Sequence, residues 1–323
     1  MREKTCLYKY EQYGNIRIAW TDDLDGGGSS FGRSFVPVTR HLFGKTGRAF
    51  EFCAGPGFIG FYLLAEGLCD SLCLSDVNPE AVALMEHTVA INGLGSRVSV
   101  YLSDGLKTIP ESEKWDLVVS NPPHFFSESH QDHLNDLRRV DSQWHVHEEF
   151  YANVGRHLNK GASILFQENY MGSSEDTFAE MLRKNGLVLV DSLMMDTDRH
   201  RDNNKFFMWV KERGDGLWWR SDETRTVRVV ASEILSGGRM SLQPGKYQVI
   251  LVNDTDDEWG IFMTKAWDEK GAGRMEGPVQ IRISGIGPGT SGKGSPVLLN
   301  PGRYFITHDR LTGCFATLDI EAG

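Results

Sequence analysis

The chain has 323 residues, 40% hydrophobic and 24% charged, a composition typical of a soluble globular protein, and its length predicts two domains. No apolar run approaches the roughly 20 residues that would span a bilayer, and the N-terminal segment lacks the apolar core of a signal peptide. The formal net charge of −10 disfavours tight binding to a phosphate backbone. The five cysteines form no CxxC pair, so we expect reduced thiols and a cytoplasmic protein without a structural metal.

The first segment, residues 1–47, contains a predicted β-hairpin with the sequence YKYEQYG/NIRIAW. A Gly/Ser stretch, DLDGGGSSFG, and a predicted short helix follow it. Since the Gly/Ser stretch cannot pack a core, we predict a flexible connector. The alternative is a lid that becomes ordered over a bound substrate.

The second segment, residues 48–214, alternates short apolar runs with amphipathic stretches, which is typical of a βαβ protein. Predicted helices cover residues 57–66, 79–93, 142–158 and 174–185, and Pro79 and Gly93 are typical start and stop signals. Seven predicted strands cover residues 48–54, 71–76, 97–104, 115–120, 161–169, 187–195 and 204–212. We therefore predict an α/β domain with a doubly wound, seven-stranded, Rossmann-like sheet.

The third segment, residues 222–323, has almost no helical periodicity and is rich in glycine and alternating strand patterns. Two similar phrases, LQPGKYQVILVND and LNPGRYFITHDR, each predict a Pro-Gly turn that leads into a strand. We predict a smaller all-β sandwich of about 100 residues. It is faintly similar to cupredoxin-like sandwiches, but His308 and Cys314 lack the copper-ligand spacing, so no metal is expected.

Charge separates these regions, and two uses of the sandwich compete. Residues 1–215 hold 22 basic and 31 acidic residues, a formal charge of −9, whereas the remainder is at −1. The acidity therefore belongs to the α/β domain, where we expect catalysis. The sandwich is interpreted as an accessory module that binds a peptide or partner, or as a dimerisation module that would make the protein a homodimer.

A glycine loop, EFCAGPGFIG, follows the first predicted strand of the α/β domain. Its glycines, Gly55, Gly57 and Gly60, have GxGxxG spacing in the strand–loop–helix context that makes the motif credible. Glycines let the turn pass tightly and let a ligand approach the backbone. The loop alone does not separate a nicotinamide cofactor from S-adenosylmethionine.

Acidic residues on three successive strands favour S-adenosylmethionine. Glu51 opens the strand before the glycines, Asp76 ends the second strand and Asp104 ends the third. With the glycine loop, this set resembles the class I S-adenosylmethionine-dependent methyltransferases over about residues 45–212. The resemblance implies that Asp76 binds the ribose, that Asp104 reaches the adenine amino group and that Glu51 lies near the methionine amine. The further cofactor-binding residues it implies are Cys53, Gly55, Gly57, Gly60, Asn78 and Gly105.

The segment SNPPHF, residues 120–125, follows the fourth predicted strand, and its two prolines end that strand. It resembles the Asn-Pro-Pro-aromatic motif of methyltransferases that modify planar nitrogens, including the protein-glutamine methyltransferases of release factors and the rRNA enzymes. The resemblance implies that the Asn121 side-chain oxygen and the Pro122 carbonyl accept the N–H groups of the acceptor. The rigid prolines would hold these oxygens in place before the substrate binds.

The fourth position of this motif is His124, where the resembled family has tyrosine or phenylalanine. An imidazole stacks less well, but it also forms hydrogen bonds and takes a proton. The difference favours amide, guanidine or amine nitrogens over a nucleobase, and Phe125 could supply the missing aromatic surface. His124 is predicted to contact the acceptor.

Six of the ten histidines lie between His124 and His157. His145 and His147 are two residues apart on a predicted helix and face different sides, so we predict no shared metal. The stretch of residues 127–150 is instead expected to line the substrate pocket. The predicted substrate-contacting residues are Phe125, Trp144, His145, Glu148 and, after the fifth strand, Glu168.

These patterns together predict an S-adenosylmethionine-dependent N-methyltransferase that acts on an amide-type nitrogen of a peptide or protein side chain. The predicted catalytic residues are Asn121, Pro122 and His124. Methylation of a ribosomal RNA or other nucleic-acid base, methylation of a small molecule, and a non-catalytic cofactor-binding protein stay open as alternatives.

Overall fold

The computed structural model describes residues 8–24, 32–195, 205–213, 224–265, 278–294, 296–299, 301–308 and 315–321. The chain divides into two compact units. One comprises residues 1–188 with 208–213, and the other comprises residues 189–207 with 214–323. Most of the Gly/Ser stretch that we interpret as a connector or lid, residues 25–31, lies outside the described residues.

The predicted seven-stranded sheet comprises β3 (Thr46–Phe52), β4 (Cys69–Asp76), β5 (Val98–Leu102), β6 (Trp115–Ser120), β9 (Leu158–Asn169), β10 (Leu187–Met195) and β11 (Lys205–Glu212). Its strand order is β5-β4-β3-β6-β9-β11-β10. The first five strands in this order belong to the first unit and run parallel to one another. The predicted sheet and all seven of its strands are confirmed.

The central strands are buried on both faces, as a parallel sheet with helices on each side requires. Leu117, Val118 and Val119 follow one another in β6 and are all fully buried. Ala49 and Phe50 in β3 are equally buried, and the Phe50 ring stacks on Trp115 with centroids 3.9 Å apart. Continuous apolar runs at strand length therefore produce the core of this unit.

Helices connect and cover the strands. They are α1 (Phe35–Leu42), α2 (Phe58–Ala65), α3 (Pro79–Ile91), α4 (His130–Asn135), α5 (His145–Asn153) and α6 (Glu175–Lys184). Asn78 caps α3 through its side-chain oxygen, which accepts the Glu80 N–H at 2.9 Å, and Gly93 beyond the helix has a φ of 64°. The start and stop signals predicted for this helix are confirmed. In the described residues no helix is both long and apolar enough to cross a membrane.

The predicted helix over residues 142–158 is shorter than expected. A short strand, β8 (Val140–Ser142), precedes it, and the 3-10 turn Val154–His157 follows α5. Gln143 and Trp144 have positive φ values of 52° and 57°. Since that left-handed conformation is incompatible with an α-helix, α5 begins only at His145.

The predicted N-terminal hairpin is present as β1 (Lys9–Tyr13) and β2 (Ile16–Trp20), which pair antiparallel. Its second strand is bonded to α3, since the Thr88 hydroxyl accepts the Ala19 N–H at 3.0 Å. The predicted short helix after the Gly/Ser stretch is α1. The N-terminal segment therefore packs on the α/β core next to the helix that follows β4.

The second unit contains two sheets that enclose one hydrophobic core, and it includes one short helix, α7 (Ala231–Leu235). One sheet has β12 (Arg225–Val230), β14 (Gly245–Val252), β17 (Ser291–Lys293) and β18 (Val297–Leu299). The other includes β13 (Arg239–Leu242), β15 (Trp259–Lys265), β16 (Pro278–Ile286), β19 (Gly302–His308) and β20 (Phe315–Ile320). Both Pro-Gly phrases lead into strands, β14 and β19. Cys314 lies outside the described residues.

Candidate functional site

A cavity of about 380 Å³ lies at the carboxyl edge of the parallel strands in the first unit, the edge where doubly wound folds bind ligands. Its volume is within the range of small-molecule sites. It is lined by the residues that follow β3, β4, β5 and β6, by α4 and its neighbours, and by Leu24 from the N-terminal segment. Of the predicted cofactor residues, it brings together Glu51, Cys53, Gly55, Asp76, Asn78, Asp104 and Gly105.

The glycine loop turns sharply after β3. Cys53 has a φ of 52°, which is unusual for a residue with a side chain, and Gly55 and Gly57 have φ values of 53° and 81°. Gly60 is required for a different reason, since a Cβ there would lie 2.7 Å from a Leu72 methyl and 2.9 Å from a Glu51 oxygen. Glycine at positions 57 and 60 lets α2 begin close against the sheet, and neither residue is in the described lining of the cavity, whereas Gly55 lines it.

Glu51 lies beneath this loop and is fully buried. Its two carboxyl oxygens accept the Ile59 N–H at 3.3 Å and the Gly60 N–H at 2.6 Å, in the first turn of α2. Burial raises the pKa of Glu51 to about 8, although the two N–H groups act against this shift. A buried carboxyl on the cavity wall therefore changes charge near neutral pH.

Asp76 ends β4 and ties two parts of the site together. One of its oxygens accepts the Gly55 N–H at 2.7 Å and the other accepts the Asn78 N–H at 2.8 Å. Burial raises the pKa of this carboxyl, and the backbone N–H bonds partly offset the increase. Each oxygen keeps a second lone pair, so the group can also accept hydroxyl hydrogen bonds from a ligand in the cavity.

Asp104 and Gly105 follow β5 at the rim of the same cavity. The Asp104 side chain is exposed and forms an ion pair with Lys107 at 2.6 Å. Gly105 has a φ of 59°, and a Cβ there would lie 3.2 Å from the Glu149 carboxyl carbon. Glycine therefore suits this turn because of its left-handed backbone and the closeness of the Glu149 side chain.

Asn121 is the first residue after β6, and it lines the cavity. Ser120 before it is anchored by a hydrogen bond from its hydroxyl to the Phe52 carbonyl at 2.6 Å. The Asn121 side-chain oxygen is buried, yet no residue in the described part of the chain donates a hydrogen bond to it. A buried acceptor without a donor costs about 1–3 kcal/mol, which a ligand N–H would recover.

The rest of the Asn-Pro-Pro-His segment is packed into the protein. Pro123 lines the cavity, whereas Pro122 and His124 are buried and are absent from its lining among the described residues. A Cβ on Gly172 would overlap the His124 carbonyl oxygen, so the loop after β9 lies directly against this backbone. Phe125 is half-buried and its ring meets the His124 ring edge-on at 5.1 Å.

The chain after this segment forms a flap next to the cavity, which we define as residues 125–142. Its strands β7 (Phe125–Ser127) and β8 pair in parallel, with α4 between them. The sequence did not identify the individual cavity-lining residues of this region, which are His130, Leu134, Leu137, Arg138 and, in α5, Val146. Only the concentration of histidines pointed to the stretch as a whole.

Three of the predicted substrate residues lie on α5 or at its start. Trp144 contacts the rings of Phe126 and Phe178, with centroids 5.8 Å and 5.2 Å away. The side chains of His145 and Glu148 are 70% and 56% exposed. In the described structure these three side chains do not line the cavity, so their assignment to the substrate stays a prediction.

The remaining substrate candidate, Glu168 at the end of β9, belongs to a buried cluster that sequence reasoning missed. His147 lies between Asp141 and Glu168, with ring nitrogens 2.7 Å and 2.9 Å from their carboxyl oxygens, and all three side chains are fully buried. Burial alone would lower the pKa of His147, but Glu168 and Asp141 outweigh it and raise it to about 9. We call these three residues the buried triplet.

A helical pattern in the sequence could have identified His147 as buried. His147, Phe150, Tyr151 and Val154 follow the i, i+3, i+4, i+7 spacing of an apolar helix face, and all four are buried. Within the described residues, no group of three or more His, Cys, Asp or Glu side chains is arranged to hold a metal ion.

Part of this chain is similar in sequence to known proteins. Residues 33–188 match the family described as Methyltransferase small domain. The chain is 41% identical over 83 residues to a ribosomal RNA small subunit methyltransferase C from Shewanella sp. MR-4, covering 26% of this chain and 23% of that protein. It is 32% identical over 89 residues to a release factor glutamine methyltransferase from Aquifex aeolicus, covering 28% of this chain and 30% of that protein.

Among solved structures, a ribosomal protein L11 methylase from Lactobacillus delbrueckii is similar with a TM-score of 0.40 and 16% identity, covering 58% of this chain and 79% of that one. An S-adenosylmethionine-dependent methyltransferase from Clostridium acetobutylicum is similar with a TM-score of 0.40 and 13% identity, covering 59% and 94%. The chain spans less than a third of the length of either sequence relative named above.

Proposed function

We propose that this protein is an S-adenosylmethionine-dependent N-methyltransferase that acts on an amide-type nitrogen of a peptide or protein side chain, and the match of residues 33–188 to the family described as Methyltransferase small domain supports this proposal. The observation that carries the proposal is the buried Asn121 oxygen, which lacks a donor among the described residues and belongs to a residue that lines the cavity beside the glycine loop. A methyl acceptor with an N–H group would satisfy that oxygen.

The cavity has features that suit S-adenosylmethionine. Glu51 provides a carboxyl that a positively charged amine would stabilise in its ionised form, and Asp76 keeps lone pairs for ribose hydroxyls. Gly55 and Gly105 present backbone without side chains at the cavity wall. When bound, the cofactor supplies a methyl group on a positively charged sulfur, which a nitrogen lone pair attacks in line.

The acceptor side of the reaction is assigned to Asn121. An amide nitrogen is a poor nucleophile because its lone pair is delocalised into the carbonyl group. A hydrogen bond from the acceptor N–H to the Asn121 oxygen would hold the nitrogen in one orientation and stabilise the positive charge that develops on it. The acceptor nitrogen would exchange one N–H proton, released to solvent, for the methyl group, and the cofactor would become the neutral thioether S-adenosylhomocysteine.

Two considerations favour a peptide over RNA. The first unit carries most of the net negative charge, which opposes binding to a phosphate backbone. His124 also stacks less well on a nucleobase than the tyrosine or phenylalanine of the resembled motif would. A ribosomal RNA substrate is the second candidate, because one of the relatives is named for that activity.

The experiment uses the full-length protein with S-adenosylmethionine carrying a labelled methyl group. Cell extract from a strain lacking the gene is divided into protein and RNA pools, and incorporation into each pool is measured. We expect label in the protein pool, resistant to ribonuclease, and a methyl on an amide nitrogen by peptide mass spectrometry. Label that ribonuclease removes would replace the peptide proposal with the RNA alternative.

Variants test the role of Asn121 directly. Asn121→Ala should reduce transfer by about 10- to 100-fold while binding of S-adenosylhomocysteine, measured by calorimetry, stays unchanged. Asn159→Ala is the matched control, because the Asn159 amide bonds Asp116 at the opposite edge of the sheet. Equal transfer by the two variants would overturn the role of Asn121. Cofactor binding without transfer to either pool would favour a cofactor-binding protein that is not an enzyme.

A further inference from the structure

The buried triplet joins three segments of the first unit that are separate in sequence. Asp141 lies in β8, His147 in α5 and Glu168 at the end of β9. Asp141 also accepts the Val146 and His147 N–H groups at 2.9 Å and 3.2 Å, so it holds the start of α5. The Ser173 hydroxyl donates to Glu168 at 3.3 Å, which extends the cluster into the loop after β9.

Each of these segments contacts a wall of the acceptor site. In the β7–β8 pair, Asp141 lies opposite Phe126, and the Phe125 N–H donates to the Arg139 carbonyl at 2.9 Å. Val146, bonded to Asp141, lines the cavity. On the other side, the loop that bears Ser173 places Gly172 against the His124 carbonyl. His147 therefore connects the flap to the loop that supports the Asn121–His124 segment.

The bonding pattern leaves little freedom at His147. Each ring nitrogen faces a carboxyl oxygen at hydrogen-bond distance. A neutral imidazole has only one N–H, so satisfying both contacts requires a proton on each nitrogen or on one carboxyl. Since the cluster has no exposed member, removing one partner leaves a buried charge unpaired. The Phe178 ring stacks on His147 at 4.4 Å and fixes its plane.

We propose that His147 is a positioning residue for the acceptor site, which holds the flap and the loop after β9 in place around Asn121 through its bonds to Asp141 and Glu168. This inference rests on the proposed methyl transfer. His147 does not itself line the cavity as the described residues define it, so it acts on the reaction through the segments that it joins.

The test compares His147→Gln with His157→Gln in the full-length protein. Glutamine cannot reach both carboxyl groups, so one of them loses its partner. His157 is an equally buried histidine that lies just before β9, at the opposite end of that strand from Glu168. One of its ring nitrogens is hydrogen-bonded to the Glu113 carbonyl. Both variants lose a buried imidazole, and only the first should alter the acceptor site.

Two readouts are measured for each variant. Hydrogen exchange by mass spectrometry reports the protection of residues 120–128, and calorimetry reports the affinity for S-adenosylhomocysteine. We expect faster exchange in that segment for His147→Gln and a cofactor affinity within about threefold of the unaltered protein. With a methylated substrate in hand, turnover should fall about 10- to 100-fold. His157→Gln should change neither the exchange of this segment nor the turnover.

The outcomes separate this inference from the proposed function. If exchange in residues 120–128 is unchanged in His147→Gln, the positioning role is wrong, whatever the substrate proves to be. If exchange increases but the unaltered protein methylates no acceptor, the proposed reaction fails while the structural link stands. If His147→Gln does not fold, Asp141→Asn replaces it, and unchanged exchange in that isosteric variant likewise overturns the role.

Discussion

Replacing Glu51 by glutamine should make the stability of the first unit less dependent on pH. The folded-state pKa of Glu51 is about 8, whereas the ordinary value is 4.5. The folded protein therefore keeps a proton that the unfolded chain releases between these values. The resulting stabilisation is fully present below pH 4.5 and is lost as the pH rises through 8. Glutamine stays neutral at every pH, so the Glu51→Gln variant does not lose stability in this way.

The size of the effect follows from the shift. One pKa unit corresponds to about 1.4 kcal/mol, so a shift of roughly 3.5 units is worth about 5 kcal/mol over the whole window. Between pH 5.5 and 7.5, Glu51→Gln should gain about 2.5 kcal/mol in free energy of unfolding relative to the unaltered protein. Urea titrations at the two pH values, followed by hydrogen exchange of the β3 and β6 amides, measure this difference for the first unit by itself.

Glu113→Gln is the matched control, since Glu113 has a partner of opposite charge. Burial would raise the pKa of Glu113, but its bond to Arg48 at 2.7 Å outweighs that and lowers it. The carboxylate is therefore charged at both pH values, and its replacement should cost the same stability at each. An equal effect of Glu51→Gln at pH 5.5 and 7.5 would show that Glu51 is already ionised, and the reasoning from its burial would be refuted.

Two further predictions concern the two sides of the cavity. Asp76→Asn should weaken S-adenosylhomocysteine binding by about 10- to 100-fold in calorimetry, because it removes the carboxylate that orders Gly55 and would accept the ribose hydroxyls. The control is Asp116→Asn, at the other end of the sheet, which should bind S-adenosylhomocysteine normally. Equal affinities of the two variants would contradict the role of Asp76. Gly172→Ala should force the loop away from the His124 carbonyl and cost about 1–3 kcal/mol in thermal unfolding. Gly95→Ala, where a Cβ meets nothing within 4 Å, is its control, and equal melting temperatures would show that the loop yields freely.

The sequence by itself determined the seven strands of the sheet and the glycine loop. The apolar runs of β3 and β6 have strand length, and the helical patterns between the strands indicate a parallel sheet that is buried on both faces. Once the strands were known, their carboxyl ends had to meet at one edge. That reasoning placed Glu51, Asp76 and Asn121 at one site, and the cavity does contain all three. Local pattern was sufficient there because each residue lies at or next to the carboxyl end of its strand.

The tertiary structure alone decided the contacts between residues far apart in sequence. Leu24 reaches the cavity from the N-terminal segment, and Gly172 meets the His124 carbonyl from the loop after β9. The helix containing His147 was predicted, but its start depends on the positive φ values of Gln143 and Trp144, which no periodicity signals. The pairing of His147 with Asp141 and Glu168 depends on strand register and helix packing. These are set by the burial of apolar surface over the whole unit, and no local sequence pattern determines them.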